Sequence, residues 1–229
     1  MMAVGIVGGL GVGATVHYYE KITAACKARG VSPDLIVTHA DVEHGQNLIR
    51  AGRLDDLAAY LAGFIERMAQ AGAETAVLPA VTPHICKAEI RRHTSVPLID
   101  IVDCLGAELT RSRLRRVALF GTVFTMEGSL WGQLQPGIDI VTPQPEEIAF
   151  IGRAYQRILD TQVADPDDAA GLRRIAADLQ RRDGVEAILL AGTDLALMFD
   201  EKTAGFPTLD VARLHIDAIV ERLCAPRGM

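Results

Sequence analysis

The pattern of apolar and polar residues alternates along the chain between short β-branched runs and longer segments of helical period. This alternation is typical of parallel strands joined by crossover helices, so it predicts an α/β fold. The apolar runs predict strands near residues 4–7, 34–39, 75–78, 117–120, 139–142 and 187–190. The segments of helical period predict helices over residues 14–27, 53–71, 83–92, 125–134, 146–162, 168–182 and 211–223.

The two halves of the chain echo each other weakly. Residues 4–7 and 117–120 both look like buried strands that end at a glycine before a helix, and each half has one further strand-to-helix turn, at residues 78–84 and 189–195. We therefore expect two pseudosymmetric, three-layer Rossmann-like lobes with mainly parallel sheets, and a ligand site in the cleft between the lobes. The expected N-terminal lobe comprises residues 1–96 and 211–229, and the expected C-terminal lobe comprises residues 97–210.

Composition and charge narrow the functional classes. The chain has 229 residues, of which 49% are hydrophobic, and a formal net charge of −6. This charge argues against nucleic acid as a partner, because nucleic-acid binders need clustered Lys and Arg. The apolar runs are shorter than the roughly 20 residues of a membrane-spanning helix, so no membrane partner is expected. The start lacks the basic region of a signal peptide and the four cysteines lack metal-finger spacing, so we predict reduced thiols and a cytoplasmic location.

A glycine-rich turn, residues 8–13, follows the first predicted strand and opens a helix. Backbone NH groups at such a place can hold an anion, which makes Gly9 and Leu10 candidate substrate contacts. A tight turn that needs glycine for a positive φ is an equally good interpretation. The glycine spacing departs from the dinucleotide fingerprint and does not favour a nucleotide cofactor.

Several blocks of the sequence match one family pattern in order over almost the whole chain. They are residues 5–11 followed by Ala14, Thr15, Tyr18 and Tyr19, then residues 82–84, 120–127, 190–195 and 209–215. Together these blocks resemble the aspartate/glutamate (Asp/Glu/hydantoin) racemase family. The resemblance implies a cofactor-independent isomerase with two α/β lobes, a small carboxylate or amino acid as ligand, and two cysteines that exchange the Cα proton on opposite faces of the substrate.

The chain departs from the family pattern at both thiol positions. Ala80 stands where the first cysteine is expected, Val81 replaces the neighbouring asparagine, and Gly192 replaces the second cysteine. Neither alanine nor glycine can transfer a proton, so the two-thiol reaction cannot be written for this chain. Cys86, six residues after Ala80, is either a displaced base or a buried thiol.

Residues 39–47 carry two imidazoles and two carboxylates directly after a predicted strand. His39, Asp41 and Glu43 would share one face if the strand continued, and such groups suit zinc, manganese or iron. A solvated loop and a substrate contact through Glu43 are the other interpretations, and the loop is favoured, so we predict no metal. The resemblance places Gly45 at a substrate-binding arginine. Arg50 or Arg53 then either substitutes for that arginine or is a solvated helix charge.

The remaining candidates lie at the expected strand ends. Asp194, the best surviving carboxylate, and His84, with a side chain that titrates near neutrality, are candidate acids or bases, although His84 could also be structural. The threonines could bind a carboxylate or cap helices. The predicted catalytic set is Thr82, His84, Thr193 and Asp194, and the predicted substrate contacts are Gly9, Leu10, Glu43, Ala80, Val81, Thr122 and Gly192.

The resemblance and these residues together leave two functions open. The first is a racemase-like isomerase or related lyase that acts on a small amino or carboxylic acid by a non-thiol route. The second is a catalytically altered pseudoenzyme that binds a small acid without racemising it. The helix predicted over residues 53–71 could also pair two subunits in a homodimer.

Overall fold

The computed structural model describes residues 2–127 and 137–225. The chain divides into two compact units, Met1–Ile101 with His215–Met229 and Val102–Leu214. Each unit contains one sheet, and every strand pair in both sheets is parallel within the described residues. The predicted α/β class with parallel sheets is therefore confirmed.

The first unit is built on a three-stranded sheet with β1 in the centre, in the order β2-β1-β3. All six residues of β1 are buried, as expected for a central strand that is covered on both faces. The strands are β1 (Ala3–Gly8), β2 (Asp34–His39) and β3 (Thr75–Val77). The helices of the first half are α1 (Val12–Ala28), α2 (Val42–Arg50), α3 (Leu54–Gln70) and α4 (Lys87–His93), with a 3-10 helix at Thr82–Cys86.

Helix α3 covers one face of this sheet through an apolar stripe. Leu57, Leu61, Ile65 and Met68 recur at helical spacing and are almost fully buried. A Cβ at Gly5 of β1 would lie 2.9 Å from Met68 Cε. The glycine therefore lets α3 pack closely on the central strand.

The second unit has a four-stranded sheet in the order β5-β4-β6-β7. Its strands are β4 (Arg116–Phe120), β5 (Asp139–Val141), β6 (Ala187–Leu190) and β7 (Thr208–Asp210). Its helices are α5 (Ile101–Ser112), α6 (Val123–Glu127), α7 (Pro145–Thr161) and α8 (Pro166–Asp183), with a 3-10 helix at Thr193–Leu197, and α9 (Val211–Cys224) ends the described chain.

Sequence patterning located most of these elements but missed three. The six predicted strands are all present, and α6 overlaps the predicted helix at residues 125–134, of which 128–134 lie outside the described residues. Helix α2 was expected to be a loop or a continued strand; it forms because the Asp41 carboxylate accepts hydrogen bonds from the NH groups of Glu43 (2.9 Å) and His44 (3.2 Å). Helix α5 and the three-residue strand β7 were not predicted.

Within the described residues, no helix is both long enough and apolar enough to cross a membrane.

Candidate active site

The first candidate turn connects β3 to the 3-10 helix Thr82–Cys86 and carries Ala80. His84 is completely buried, and its Nδ1 lies 2.9 Å from the carbonyl oxygen of Ala80. Because a carbonyl can only accept, Nδ1 carries the proton and donates it. Burial lowers the pKa of His84, so its imidazole is neutral at pH 7. His84 therefore fixes the backbone at Ala80.

A second buried histidine, His215 of α9, belongs to the same polar core. Its Nε2 donates to the carbonyl oxygen of Ile99 (2.8 Å), and its Nδ1 accepts from the Tyr18 hydroxyl (3.1 Å). Burial and the nearby His84 lower the pKa of His215 to about 3. Tyr18 and His215 fall in the matched sequence blocks, but neither was assigned a role from the sequence.

Val81, Thr82 and Cys86 complete this turn. The Val81 side chain is buried, and Thr82 begins the 3-10 helix. The Cys86 thiol is also buried and lies 3.2 Å from the carbonyl oxygen of Pro83, to which it donates. Burial raises its pKa to about 12. The structure therefore favours the buried-thiol interpretation of Cys86 over that of a displaced base.

The glycine-rich turn after β1 is held by a threonine. Gly9 has a φ of +83°, and a Cβ on it would lie 2.2 Å from the carbonyl oxygen of Ala40. Its NH group donates to the Thr15 hydroxyl (3.1 Å), which donates in turn to the Gly11 carbonyl (2.8 Å). Leu10 packs partly buried against the core of the first unit. The tight-turn interpretation of Gly9 is therefore confirmed, and its NH group already has a partner in the protein.

The segment after β2 does not continue as a strand. Helix α2 begins at Val42, so His39, Asp41 and Glu43 do not share a strand face, and that basis for a metal site is wrong. Glu43 is exposed, and His44 packs edge-on against the Tyr60 ring at 4.6 Å between centroids. Within the described residues, no group of three or more His, Cys, Asp or Glu side chains could hold a metal ion.

Gly45 and Arg50 lie on α2, and Arg53 lies directly before α3. Gly45 is buried on α2, where an added Cβ would lie 3.7 Å from Leu57 of α3. Arg50 donates to Asn47 and Gln46 on its own helix, and Arg53 pairs with Asp56 at 2.7 Å. Both arginines therefore have local surface partners, as the solvated-charge interpretation expects.

The second candidate turn connects β6 to the 3-10 helix Thr193–Leu197. Thr193 is 3% exposed and Asp194 is 1% exposed. The Tyr155 hydroxyl, from α7, donates to Asp194 Oδ2 at 3.2 Å. Burial and the Asp194 charge raise the pKa of Tyr155 well above its ordinary value, so the phenol is neutral at pH 7. Asp194 therefore lies in a buried cluster with Tyr155, a residue that the sequence analysis missed.

Tyr155 also explains the glycine at position 192. An added Cβ there would lie 2.2 Å from Cε2, 2.7 Å from Cζ and 2.9 Å from Cδ2 of the Tyr155 ring. Gly192 has a φ of −115°, so its backbone conformation does not require glycine. The ring fills the space that a larger side chain would need at position 192.

Thr122, at the end of β4, caps a helix. Its Oγ1 accepts from the NH group of Thr125 (3.0 Å) and lies 2.7 Å from the Thr125 hydroxyl. The hydrogen bond from the Thr125 NH group holds the first turn of α6. The capping interpretation of the strand-end threonines therefore accounts for Thr122.

These features define an α/β protein with two parallel sheets. In each sheet one strand, β3 or β6, leads through a turn into a 3-10 helix. Each turn contains a small residue, Ala80 or Gly192, that precedes buried polar groups. Residues 7–219 match the family model described as Asp/Glu/hydantoin racemase, and the chain belongs to this family.

Solved structures agree with this fold. The chain is similar to a candidate Asp/Glu racemase from Yersinia pestis, with 24% identity, coverage of 98% of this chain and 100% of that chain, and a TM-score of 0.86. It is also similar to an aspartate racemase homologue from Pyrococcus horikoshii OT3 (24% identity, 98% and 100% coverage, TM-score 0.81). The aspartate racemase of Picrophilus torridus has 22% identity, 97% and 94% coverage, and a TM-score of 0.77.

Proposed function

We propose that this chain binds a small amino or carboxylic acid and moves a proton at the carbon next to the carboxylate by a route that uses no thiol. Such a reaction belongs to the isomerases or the related lyases, and we expect it to need no cofactor. In this proposal Thr82 and Thr193 take part in catalysis, and Glu43 contacts the ligand.

One observation carries the proposal: the Asp194 carboxylate is buried in a hydrogen-bonded pair two residues after the position of the second family thiol. A buried carboxylate is costly unless it is hydrogen-bonded or paired with an opposite charge. Family membership supports a ligand with a carboxylate, and a carboxylate side chain is a suitable general base for the carbon beside it.

Solvent deuterium exchange tests the proposal. The protein is incubated in D2O with the L and D enantiomers of aspartate, glutamate and alanine, one at a time, and loss of the Cα proton is followed by NMR. We expect exchange in at least one of them, and Asp194→Asn should slow it about 10²-fold or more, the usual contribution of a general base. His84→Ala should also slow it, because it releases the backbone at Ala80.

Asp168→Asn is the matched control. Asp168 is also a buried carboxylate of the second unit, 3% exposed, but it pairs with Arg157 and stands outside the candidate site. This substitution should lower stability and leave the exchange rate per folded molecule unchanged. Equal exchange rates in the wild type, Asp194→Asn and His84→Ala would contradict the assigned roles.

A second candidate function is binding without catalysis. It is favoured by the Tyr155 ring at Gly192 and by the internal partner of the Gly9 NH group, since both make the site less like that of a two-thiol racemase. This function predicts a melting temperature that rises with ligand concentration while no deuterium enters the ligand. Deuterium in the Cα position would exclude it.

A further inference from the structure

The contact between Gly192 and Tyr155 places a proton-bearing group at the second thiol position. The Tyr155 ring atoms Cε2 and Cζ lie 2.2 and 2.7 Å from where a Cβ of residue 192 would be. A cysteine side chain and this ring cannot both occupy that space. The phenol is therefore in the region that the thiol would occupy, although it comes from α7 and not from the turn.

The phenol is connected to a carboxylate that can receive a proton. Its hydroxyl donates to Asp194 Oδ2 at 3.2 Å, and the Asp194 NH group and the Thr193 hydroxyl also face the phenol oxygen. Helix α7 packs against the 3-10 helix Thr193–Leu197, which holds the two side chains together. Tyr155 is 6% exposed and Asp194 is 1% exposed, so the pair is shielded from water.

The electrostatics of this pair restrict its chemistry. Burial and the Asp194 charge raise the pKa of Tyr155, so a lasting phenolate beside that carboxylate is unfavourable. Tyr155 can then accept a proton only while it passes its own proton to Asp194. Such a transfer leaves a neutral phenol and a neutral carboxylic acid, and no charge is stored on the ring.

We propose that Tyr155 and Asp194 form a proton relay that replaces the missing second thiol, with the phenol oxygen as the atom that contacts the ligand. This inference rests on the proposed function. In the forward step, the C–H bond next to the ligand carboxylate breaks and its electron pair delocalises into that carboxylate. The proton forms a new O–H bond on Tyr155, while the original phenol proton moves to Asp194 Oδ2. The reverse step returns a proton to the carbon, so no oxidant or reductant is needed.

The relay serves one face of the ligand, which gives it a distinctive signature. Loss of the relay should stop proton removal from the enantiomer whose Cα hydrogen points to Tyr155. A group on the opposite face would still exchange the other enantiomer. A general loosening of the fold would instead slow exchange from both enantiomers alike.

The test is deuterium exchange by Tyr155→Phe with the same L and D amino acids, measured separately for each enantiomer. The phenylalanine ring still fills the space at Gly192, so the variant should fold. We expect a loss of about 10²-fold or more for one enantiomer, a much smaller loss for the other, and unchanged thermal stabilisation by the ligand. Asp194→Asn should slow the deuterium exchange of the same enantiomer.

Tyr18→Phe is the matched control, since Tyr18 is also a buried tyrosine whose hydroxyl bonds a side chain, that of His215. It should lower the melting temperature without selecting between enantiomers. If the wild type exchanges deuterium and Tyr155→Phe keeps its rate or slows both enantiomers equally, the relay is wrong while the proposed function stands. If the wild type exchanges no deuterium into any of these amino acids, the proposed function and the relay fail together.

Discussion

At the scale of single residues, the glycine at position 192 is explained by a neighbouring side chain and not by its backbone conformation. Its φ of −115° suits any residue, yet the Tyr155 ring leaves no room for a Cβ. Ala80 on the first turn is different, because it is partly exposed and its carbonyl oxygen is held by His84. The two small residues Ala80 and Gly192 therefore have different structural surroundings.

The Gly192→Ala substitution should destabilise the protein. The added methyl group overlaps the Tyr155 ring, and overpacking of this kind costs about 1–3 kcal/mol. In a Tyr155→Leu background the same substitution should cost much less, because the side chain that it meets is smaller. Free energies of unfolding from urea titrations of the two single variants and the double variant measure this coupling.

Gly63→Ala is the control for the change from glycine to alanine. Gly63 is in α3, and an added Cβ would meet nothing within 4 Å. This substitution should stabilise the helix by about 0.5–1 kcal/mol. If the changes in free energy of unfolding of Gly192→Ala and Tyr155→Leu are strictly additive, the Tyr155 ring is not the reason for a glycine at position 192.

At the scale of elements, α1, α9 and the 3-10 helix Thr82–Cys86 meet in one buried polar core. Tyr18 of α1 bonds His215 of α9, and the His215 and His84 rings lie edge-on with centroids 6.3 Å apart. Both histidines have lowered pKa values because of burial. The packing of these elements therefore depends on two neutral imidazoles.

This core predicts a pH-dependent stability. The pKa of His215 is about 3 in the folded protein and 6.5 when unperturbed, so the unfolded state binds more protons between these values. The stabilisation of the folded protein by neutral His215 is therefore fully present above pH 6.5. As the pH falls from 6.5 toward 3, the free energy of unfolding decreases by about 1.4 kcal/mol per pH unit. Urea unfolding between pH 7 and pH 4 should show a shallower slope for His215→Gln than for the wild type.

His93→Gln is the control for this titration, because the His93 side chain is 33% exposed and its partner is the surface residue Asp55. Its slope between pH 7 and pH 4 should stay closer to that of the wild type than the slope of His215→Gln. Identical slopes for the wild type and His215→Gln would mean that His215 is not held neutral in the folded protein.

At the scale of the whole molecule, the first helix and the last described helix meet. Cys26 of α1 and Cys224 of α9 have sulfur atoms 3.9 Å apart, and Arg29 pairs with Glu221 at 2.7 Å beside them. Burial and Cys224 raise the pKa of Cys26 to about 11, which keeps this thiol protonated. The contact therefore joins residues that are 198 positions apart in the chain.

Oxidation at alkaline pH, where Cys26 begins to lose its proton, should convert this contact into a disulfide. With oxidised glutathione as the oxidant, we expect a Cys26–Cys224 cross-link and a rise in the free energy of unfolding of up to about 4 kcal/mol, because the bond closes a long loop. Peptide mass spectrometry without reductant identifies the cross-link. Cys224→Ser should abolish it, and Cys104→Ser should not; a cross-link that persists in Cys224→Ser would contradict the pairing.

The sequence predicted the sheets well because apolar runs and helical periods extend over many residues. It missed α2, since that helix depends on the capping carboxylate of Asp41, and β7, since three residues show no alternation. Through the matched blocks it gave Asp194 and His84 as candidate acids or bases, and the structure shows that both side chains are buried. It could not identify Tyr155, which lies on the apolar face of α7 and is 39 residues away from Asp194 in the chain.

The fit of Tyr155 against Gly192 also constrains the order in which substitutions at the two positions can be tolerated. A single substitution of Gly192 by cysteine should destabilise the protein, because the new side chain would meet the aromatic ring. A smaller residue at position 155 has to come first, and that change removes the hydroxyl that bonds Asp194. Either single step toward a cysteine at position 192 therefore disrupts the present contacts of Tyr155.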